Sequence, residues 1–124
     1  MKWIIAGDRN MVPKEHHVNF LDLQRDLFKF DEVVSGKARG ADTFGEIWAN
    51  EHGIPVKEFP ADWDKFGRSA GPIRNGQMAE YGDALIAFLA PGSKGTKNMI
   101  EQAQKKGLFV LVYNLEEDEN YEKD

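Results

Sequence analysis

The pattern of hydrophobic and polar positions alternates between short apolar runs and longer amphipathic segments. About five runs are typical of strands, and they read KWIIAG, DEVVSG, IPVKEFP, DALIAFLA and LFVLVY. The segments between most of them have apolar residues at helical spacing. This alternation predicts an α/β fold, with a single Rossmann-like doubly wound sheet of about five mainly parallel strands and helices on both faces.

Two helices are predicted most clearly. The first has apolar positions at Phe20, Leu21, Leu23, Leu27 and Phe28. The second lies within Ala41 to Gly53, with Asp42 or Thr43 as its N-cap and with Phe44, Ile47 and Trp48 on one face. The longest irregular stretch, ADWDKFGRSAGP, follows the third strand, and IRNGQMAEYG then resumes a helical pattern. The run DALIAFLA is apolar throughout, which predicts a strand at the centre of the sheet, buried on both faces.

Length and composition limit the organisation of the chain. The 124 residues suffice for one domain, which we place at residues 1–115, followed by an acidic tail at 116–124 that we expect to be flexible. The absence of cysteine excludes disulfides and thiolate metal sites. The N-terminal apolar run, Trp3 to Ala6, is too short for a signal peptide or a membrane span, so we expect a cytoplasmic protein. A net charge of −5 disfavours broad electrostatic binding to nucleic acid.

The loops that follow the strands are the candidate site, because the carboxyl ends of parallel strands share one edge of the sheet. Three of these loops contain glycine and run into a helix, where backbone N–H groups and the helix dipole favour an anion. We therefore expect a phosphorylated ligand. The candidate ligand-binding residues are Gly7, Asp8 and Arg9 in the first loop, Ser35, Gly36, Lys37, Arg39, Gly40 and Asp42 in the second, Trp63 in the third, and Gly92, Ser93, Lys94, Gly95 and Thr96 in the fourth.

Each of these loops also has a plainer interpretation. PGSKGT can be ordinary turn chemistry before a helix, and SGKARGAD can be a solvated basic turn. Trp63 and Phe66 can pack the third loop onto the core or form a wall on which a base stacks. The chain has neither G-x-G-x-x-G after the first strand nor a P-loop motif, so it is not an ordinary dinucleotide fold or a P-loop NTPase.

Metal binding has little support in the sequence. His16 and His17 have no carboxylate at a fixed spacing, so we interpret them as a solvated helix entry rather than a metal site. No cofactor is expected to be required, and the sequence leaves open whether Mg²⁺ joins a phosphorylated ligand through Asp8 or Asp62. No catalytic residue is assigned.

The edge motifs together resemble one known family. GDR, SGKARGAD, FPADWDKFG, AGPIRNGQMAE, DALIAF and GSKGTKNMI, in this order between Lys2 and Tyr113, are similar to the YspA-like family of the SLOG superfamily. That superfamily also includes the DprA/Smf proteins and the Lonely Guy phosphoribohydrolases. The resemblance implies a Rossmann-like domain that binds a nucleotide or a nucleotide-derived ligand as a sensor, sequestering or processing module. Related SLOG proteins often pair, so a homo-oligomer is compatible with the resemblance, but the sequence does not decide the oligomeric state.

Comparison with the phosphoribohydrolase branch adds site residues and one departure. RNGQM places Arg74, followed by Asn75, at the position of that branch's helical arginine, and PGSKGT resembles its P-G-G-x-G-T motif. The acidic pair that follows the motif is absent, since Thr96 is followed by Lys97, Asn98 and Met99, and Asn98 cannot act as a carboxylate. A phosphoribohydrolase-like N-glycosidase is therefore an alternative that needs a substitute carboxylate. The candidates are Asp8, Glu46, Asp62, Asp64 and Glu80. DprA-like binding of single-stranded DNA is the second alternative.

Overall fold

The fold is an α/β sandwich built on five strands, seen in a computed structural model that describes residues 1–118. The strands are β1 (Lys2–Gly7), β2 (Glu32–Ser35), β3 (Val56–Glu58), β4 (Ala84–Leu89) and β5 (Phe109–Asn114). The helices are α1 (Glu15–Leu27), α2 (Ala41–Glu51), α3 (Trp63–Phe66), α4 (Ala70–Tyr81) and α5 (Lys94–Lys105). Two short 3₁₀ turns follow α3 and β5, at Gly67–Ser69 and Leu115–Glu117.

The strands form one sheet in the order β3-β2-β1-β4-β5, and every pair of neighbours is parallel. Trp3 pairs with Val33 on one side and with Ala84 on the other, which places β1 inside the sheet. The predicted α/β class and doubly wound sheet are confirmed, and the sheet is wholly parallel. From β1 the chain winds outward to β3 and then crosses back to β4 on the other side of β1. The order therefore reverses between β1 and β4, where a ligand crevice is expected.

Each face of the sheet carries its own core. On one face, Leu21 of α1 and Trp48 of α2 pack with Trp3, Ile5 and Phe88 of the sheet. The core of the other face is formed by residues of α4, α5 and the central strands, namely Ile4, Ala6, Val34, Met78, Ala79, Leu85, Ala87, Met99 and Ala103. Residues Ala84 to Phe88 of β4 are completely buried, as its uninterrupted apolar pattern predicts.

Helix α2 begins differently from the sequence-based expectation. Its N-cap is Gly40, which has a φ of 70°, and Asp42 and Thr43 lie inside the first turn. The Asp42 carboxylate nevertheless reaches back to accept a hydrogen bond from the Ala38 N–H at 3.3 Å. The predicted N-cap is thus wrong by two or three positions, because the positive φ of Gly40 lets the chain enter the helix earlier.

The third loop is more regular than its sequence suggests. It contains α3, whose N-cap Asp62 accepts a hydrogen bond from the Lys65 N–H at 3.1 Å. Helix α4 begins at Ala70, ahead of the predicted start, because Pro72 falls within its first turn, where proline costs no hydrogen bond.

Three apolar side chains placed on inward helix faces by their spacing are instead exposed. They are Leu23 and Leu27 of α1 and Ile47 of α2. The helices turn only part of each apolar stripe towards the sheet, and Leu21 and Trp48 lie on the buried part.

The acidic C-terminal segment is described only as far as Asp118. After the 3₁₀ turn, the Asp118 carboxylate accepts a hydrogen bond from the Tyr113 hydroxyl at 2.6 Å. The remainder of the predicted flexible tail, residues 119–124, lies outside the described residues. Among residues 1–118, no helix is long and apolar enough to cross a membrane.

The close approach of α2 to β1 generates a stability prediction. A Cβ at Gly45 would lie 2.7 Å from Cγ2 of Ile5, so Gly45→Ala should lower the free energy of unfolding by about 1–3 kcal/mol through overpacking. Gly95→Ala is the matched control, because no heavy atom lies within 4 Å of that Cβ position in the first turn of α5. Urea unfolding of both variants measures the difference, and equal stabilities would contradict the packing argument.

Candidate functional site

A pocket opens at the carboxyl ends of β1 and β4, where the strand order reverses. Its volume is about 620 Å³, within the range of roughly 300–1,000 Å³ that is usual for small-molecule sites. Eleven of the candidate residues line it, namely Gly7, Arg9, Asp42, Trp63, Arg74, Asn75, Gly92, Ser93, Lys94, Gly95 and Thr96. The first, third and fourth predicted loops therefore meet here, and the second contributes mainly Asp42.

The N-terminus of α5 forms one wall of the pocket. The first backbone hydrogen bond of this helix runs from the Lys97 N–H to the Ser93 carbonyl at 3.1 Å. The Ser93 side chain does not cap the helix, and its hydroxyl lies 3.0 Å from the Thr96 hydroxyl instead. The N–H groups of the first turn consequently have no intrahelical partner and lie beside the pocket at the positive end of the helix dipole. This arrangement suits an anion.

Arg74 of α4 brings a partly buried cation to the same pocket. Its Nη1 donates to the Gly36 carbonyl, and its Nε donates to Oδ1 of Asn75 at 3.0 Å. A Cβ at position 36 would lie 2.6 Å from Nη1, so the guanidinium can occupy this place only because residue 36 is glycine. Burial lowers the pKa of Arg74, and the charge of Asp42 opposes that shift. Arg74 is thus fixed in direction before any ligand arrives.

Buried amide side chains connect Arg74 to α5. Asn75, which is 5% exposed, donates through Nδ2 to the Gly95 carbonyl at 3.3 Å and to Oδ1 of Asn98 at 3.0 Å. Oδ1 of Asn98 also accepts from Nε2 of Gln102 at 3.2 Å. Asn75 therefore holds both the Arg74 side chain and the loop from Gly92 to Thr96 in place. Sequence reasoning missed Gln102, since its spacing from Asn98 carries no information about a partner on α4.

Asp42 is the acidic side chain of the pocket lining. It is 4% exposed, and it accepts hydrogen bonds from the backbone N–H groups of Ala38 and Gly36. Burial raises the pKa of Asp42 to about 6, although those two N–H groups and the charge of Arg74 favour its ionised form.

In the second glycine loop, Ser35 to Gly40, several backbone N–H groups donate to side chains of the protein itself. Besides the two N–H groups that Asp42 occupies, the Lys37 N–H donates to the Ser35 hydroxyl at 3.1 Å. Ser35 is fully buried and donates to Glu46 at 2.5 Å. This loop therefore supports Asp42 and Arg74, and the backbone N–H groups expected to hold phosphate are largely occupied.

The other candidates of that loop also lie outside the described pocket lining. Nζ of Lys37 pairs with Glu46 at 3.2 Å and with Glu58 at 3.0 Å. Arg39 is exposed to solvent. Within residues 1–118, the pocket lining also excludes Ser35, Gly36 and Gly40 of this loop, and Asp8 of the first loop.

Trp63 lies at the rim of the pocket, on α3. Its side chain is 60% exposed, and its Cη2 atom would be 3.5 Å from a Cβ at Gly71. Phe66 is 38% exposed and is absent from the described lining. Of the two aromatic residues considered for stacking, Trp63 is the one next to the pocket.

A second cluster, whose residues are not part of the described pocket lining, has donor atoms close enough together for a metal ion. It consists of His16, His17 and Asp118, whose ligand atoms lie within 4.8 Å of one another. Nδ1 of His17 accepts the Lys14 N–H at 2.9 Å, so Nε2 carries the proton and donates to Asp118 at 2.8 Å. His17 thus has no free lone pair for a metal in this arrangement. The expectation of a solvated helix entry is wrong for His17, which is 3% exposed.

The fold and the pocket define this protein as a Rossmann-like α/β domain with a pocket at the reversal of strand order. The chain belongs to the YspA, cpYpsA-related SLOG family, whose sequence model matches residues 1–66. Gene 61 protein of Mycobacterium phage D29 is 39% identical over 87 residues, which cover 65% of this chain and 70% of that protein. No solved structure matches the chain.

The burial of His17 predicts a pH dependence of stability. Desolvation lowers the pKa of His17 below its usual 6.5, despite the hydrogen bond to Asp118. The folded protein then binds fewer protons than the unfolded chain, so stability is lost as the pH falls through 6.5. We expect His17→Gln to lose less unfolding free energy than the wild type between pH 7 and pH 5 in urea titrations.

His16→Gln is the intermediate case in this measurement, because the charge of the exposed His16 also lowers the pKa of His17, though less than burial does; its removal should flatten the pH profile less than His17→Gln. Parallel profiles for the wild type and His17→Gln would contradict the role of burial.

Proposed function

We propose that this protein binds a nucleotide or a nucleotide-derived ligand, with its phosphate held at the N-terminus of α5. The observation that supports this most directly is the uncapped first turn of α5 beside the fixed guanidinium of Arg74 in one pocket. Backbone N–H groups and an arginine fork are complementary to phosphate oxygens. Membership of a SLOG family supports a nucleotide-related ligand.

The remaining lining agrees with a mononucleotide-sized ligand. Arg9 and Lys94 add two cations at the β1 and α5 sides of the pocket, and Trp63 offers an aromatic face at the rim. Aromatic stacking contributes about 1–3 kcal/mol per base. We propose that the base lies against Trp63, with its phosphate towards Gly95.

Binding without cleavage fits the pocket better than N-glycosidase activity. Asn98 stands where the related hydrolases have an acidic residue, and its amide oxygen is engaged by Asn75 and Gln102. None of the substitute carboxylates considered from the sequence belongs to the pocket lining within residues 1–118. We therefore propose a sensing or sequestering role.

Binding of single-stranded DNA has less support. The lining provides a concave pocket with three cations, Arg9, Arg74 and Lys94, rather than a long basic groove, and the net charge of the chain is −5. Pairing of two copies, a bound Mg²⁺ and a cytoplasmic location stay predictions from the sequence.

The roles of Arg74 and Arg39 can be separated by substitution. AMP should quench the fluorescence of Trp63, the one exposed tryptophan of the described residues, and a titration then gives the affinity. Arg74→Ala should weaken AMP binding roughly tenfold or more through loss of charge-assisted hydrogen bonds. Arg39→Ala, an exposed arginine outside the pocket, should retain the wild-type affinity.

Two further measurements serve as controls for this binding test. Arg74→Lys keeps the charge but loses the planar fork, and we expect it to bind AMP with an affinity between those of the wild type and Arg74→Ala. Melting temperatures without ligand show whether either variant is simply unfolded. If neither AMP, a cyclic nucleotide nor an ADP-ribose derivative binds the folded wild type, the proposed function is wrong.

The absence of chemistry is tested separately. AMP incubated with the protein should be recovered intact by chromatography, because the lining has no acidic residue at position 98. Release of adenine in proportion to protein concentration would contradict a purely binding role, and its loss in an Asp42→Asn variant would identify the carboxylate responsible.

A further inference from the structure

Asp42 and Arg74 both line the pocket, and both side chains lie close to Gly36. A Cβ built on Gly36 would lie 2.9 Å from Oδ2 of Asp42 and 2.6 Å from Nη1 of Arg74, so the carboxylate and the guanidinium are close neighbours. They nevertheless form no direct ion pair within 4.0 Å among the described residues, and each is held by backbone groups instead. Asp42 is thus a buried acid whose charge is only partly balanced.

The charged groups around Asp42 come from several elements. Arg74 of α4 attracts the carboxylate, and Glu46 of α2 repels it. Glu46 is itself paired with Lys37 at 3.2 Å. Arg9 of the β1 loop and Lys94 of α5 are the other charged residues of the pocket lining. An anion that draws on these cations weakens the attraction that keeps Asp42 ionised.

We propose that Asp42 takes up a proton from solvent when the pocket binds a phosphate-bearing ligand. This inference rests on the proposed function and adds the way in which the same site is regulated. A bound phosphate places negative charge beside a buried carboxylate, which favours the neutral acid. The protonated group keeps its carbonyl oxygen to accept the Ala38 N–H, so the loop can remain in place.

Proton uptake makes ligand affinity depend on pH. Because Asp42 of the free protein already has a pKa of about 6, a further rise on binding moves its titration towards neutral pH. The protonated, anion-binding form is then depleted as the pH rises, and the affinity should fall by up to about tenfold for each unit by which the ligand raises the pKa. Asp42 would therefore tune the pocket to the pH of the surrounding solution.

Calorimetric titration with AMP at pH 7, in buffers of different ionisation enthalpy, tests the inference by counting protons. Because the AMP phosphate itself exchanges protons in every variant, the informative quantity is the difference in proton uptake between the wild type and each variant. We expect the wild type to take up more protons than Asp42→Asn. Asp26→Asn, an exposed aspartate on α1, should match the wild type. Equal uptake by the wild type and Asp42→Asn would overturn the inference but leave the proposed function intact.

A measurement on the unaltered protein covers the case in which Asp42→Asn fails to fold. The carbon-13 carboxyl signal of Asp42 should titrate at a pH at least one unit higher in the AMP complex than in the free protein. An unchanged midpoint would overturn the inference. If AMP does not bind at all, and the other nucleotides tested above also fail, the proposed function and this inference fall together.

Discussion

The end of β1 is tied to β4 and α2 by backbone hydrogen bonds, and the site depends on this junction. The Asp8 N–H donates to the Phe88 carbonyl at 2.9 Å, and the Asp8 carbonyl accepts from the Ala41 N–H at 3.1 Å. No side chain fits between these chains, since a Cβ at Gly7 would lie 2.4 Å from the Phe88 oxygen and one at Gly40 would lie 2.3 Å from the Asp8 oxygen. The junction fixes β4 and α2 relative to β1, and with them two sides of the pocket.

The opposite side of the pocket is organised by polar side chains rather than by backbone pairing. Asn75 contacts Arg74, Gly95 and Asn98, so one buried amide links the direction of a cation to the position of a helix N-terminus. Such a network is favourable only when its members are satisfied, and no buried side-chain nitrogen or oxygen within the described chain lacks a hydrogen-bond partner. A ligand would therefore meet groups that need little rearrangement.

The pocket lies at the sheet edge that the sequence predicts, but two glycine loops of similar composition are arranged differently there. The loop at Gly92 to Thr96 lies at the pocket, as its position after the central strand predicts. The loop at Ser35 to Gly40 has similar glycine and basic content, yet most of its polar groups bond to Asp42, Ser35 and Glu46. Composition does not distinguish these cases, because the partners of a backbone N–H are set by residues on other elements.

The sequence by itself determined the class of fold and the order of its elements, since strand and helix periodicities and glycine stops are local properties. It also predicted a site at the shared edge of a parallel sheet, and the pocket lies at that edge. Only the tertiary structure decided that Arg74 reaches the pocket while Arg39 remains in solvent, and that Asp42 is buried beside Arg74. These properties depend on the distance between α2, α4 and α5, which are remote in sequence and brought together only when both faces of the sheet are packed.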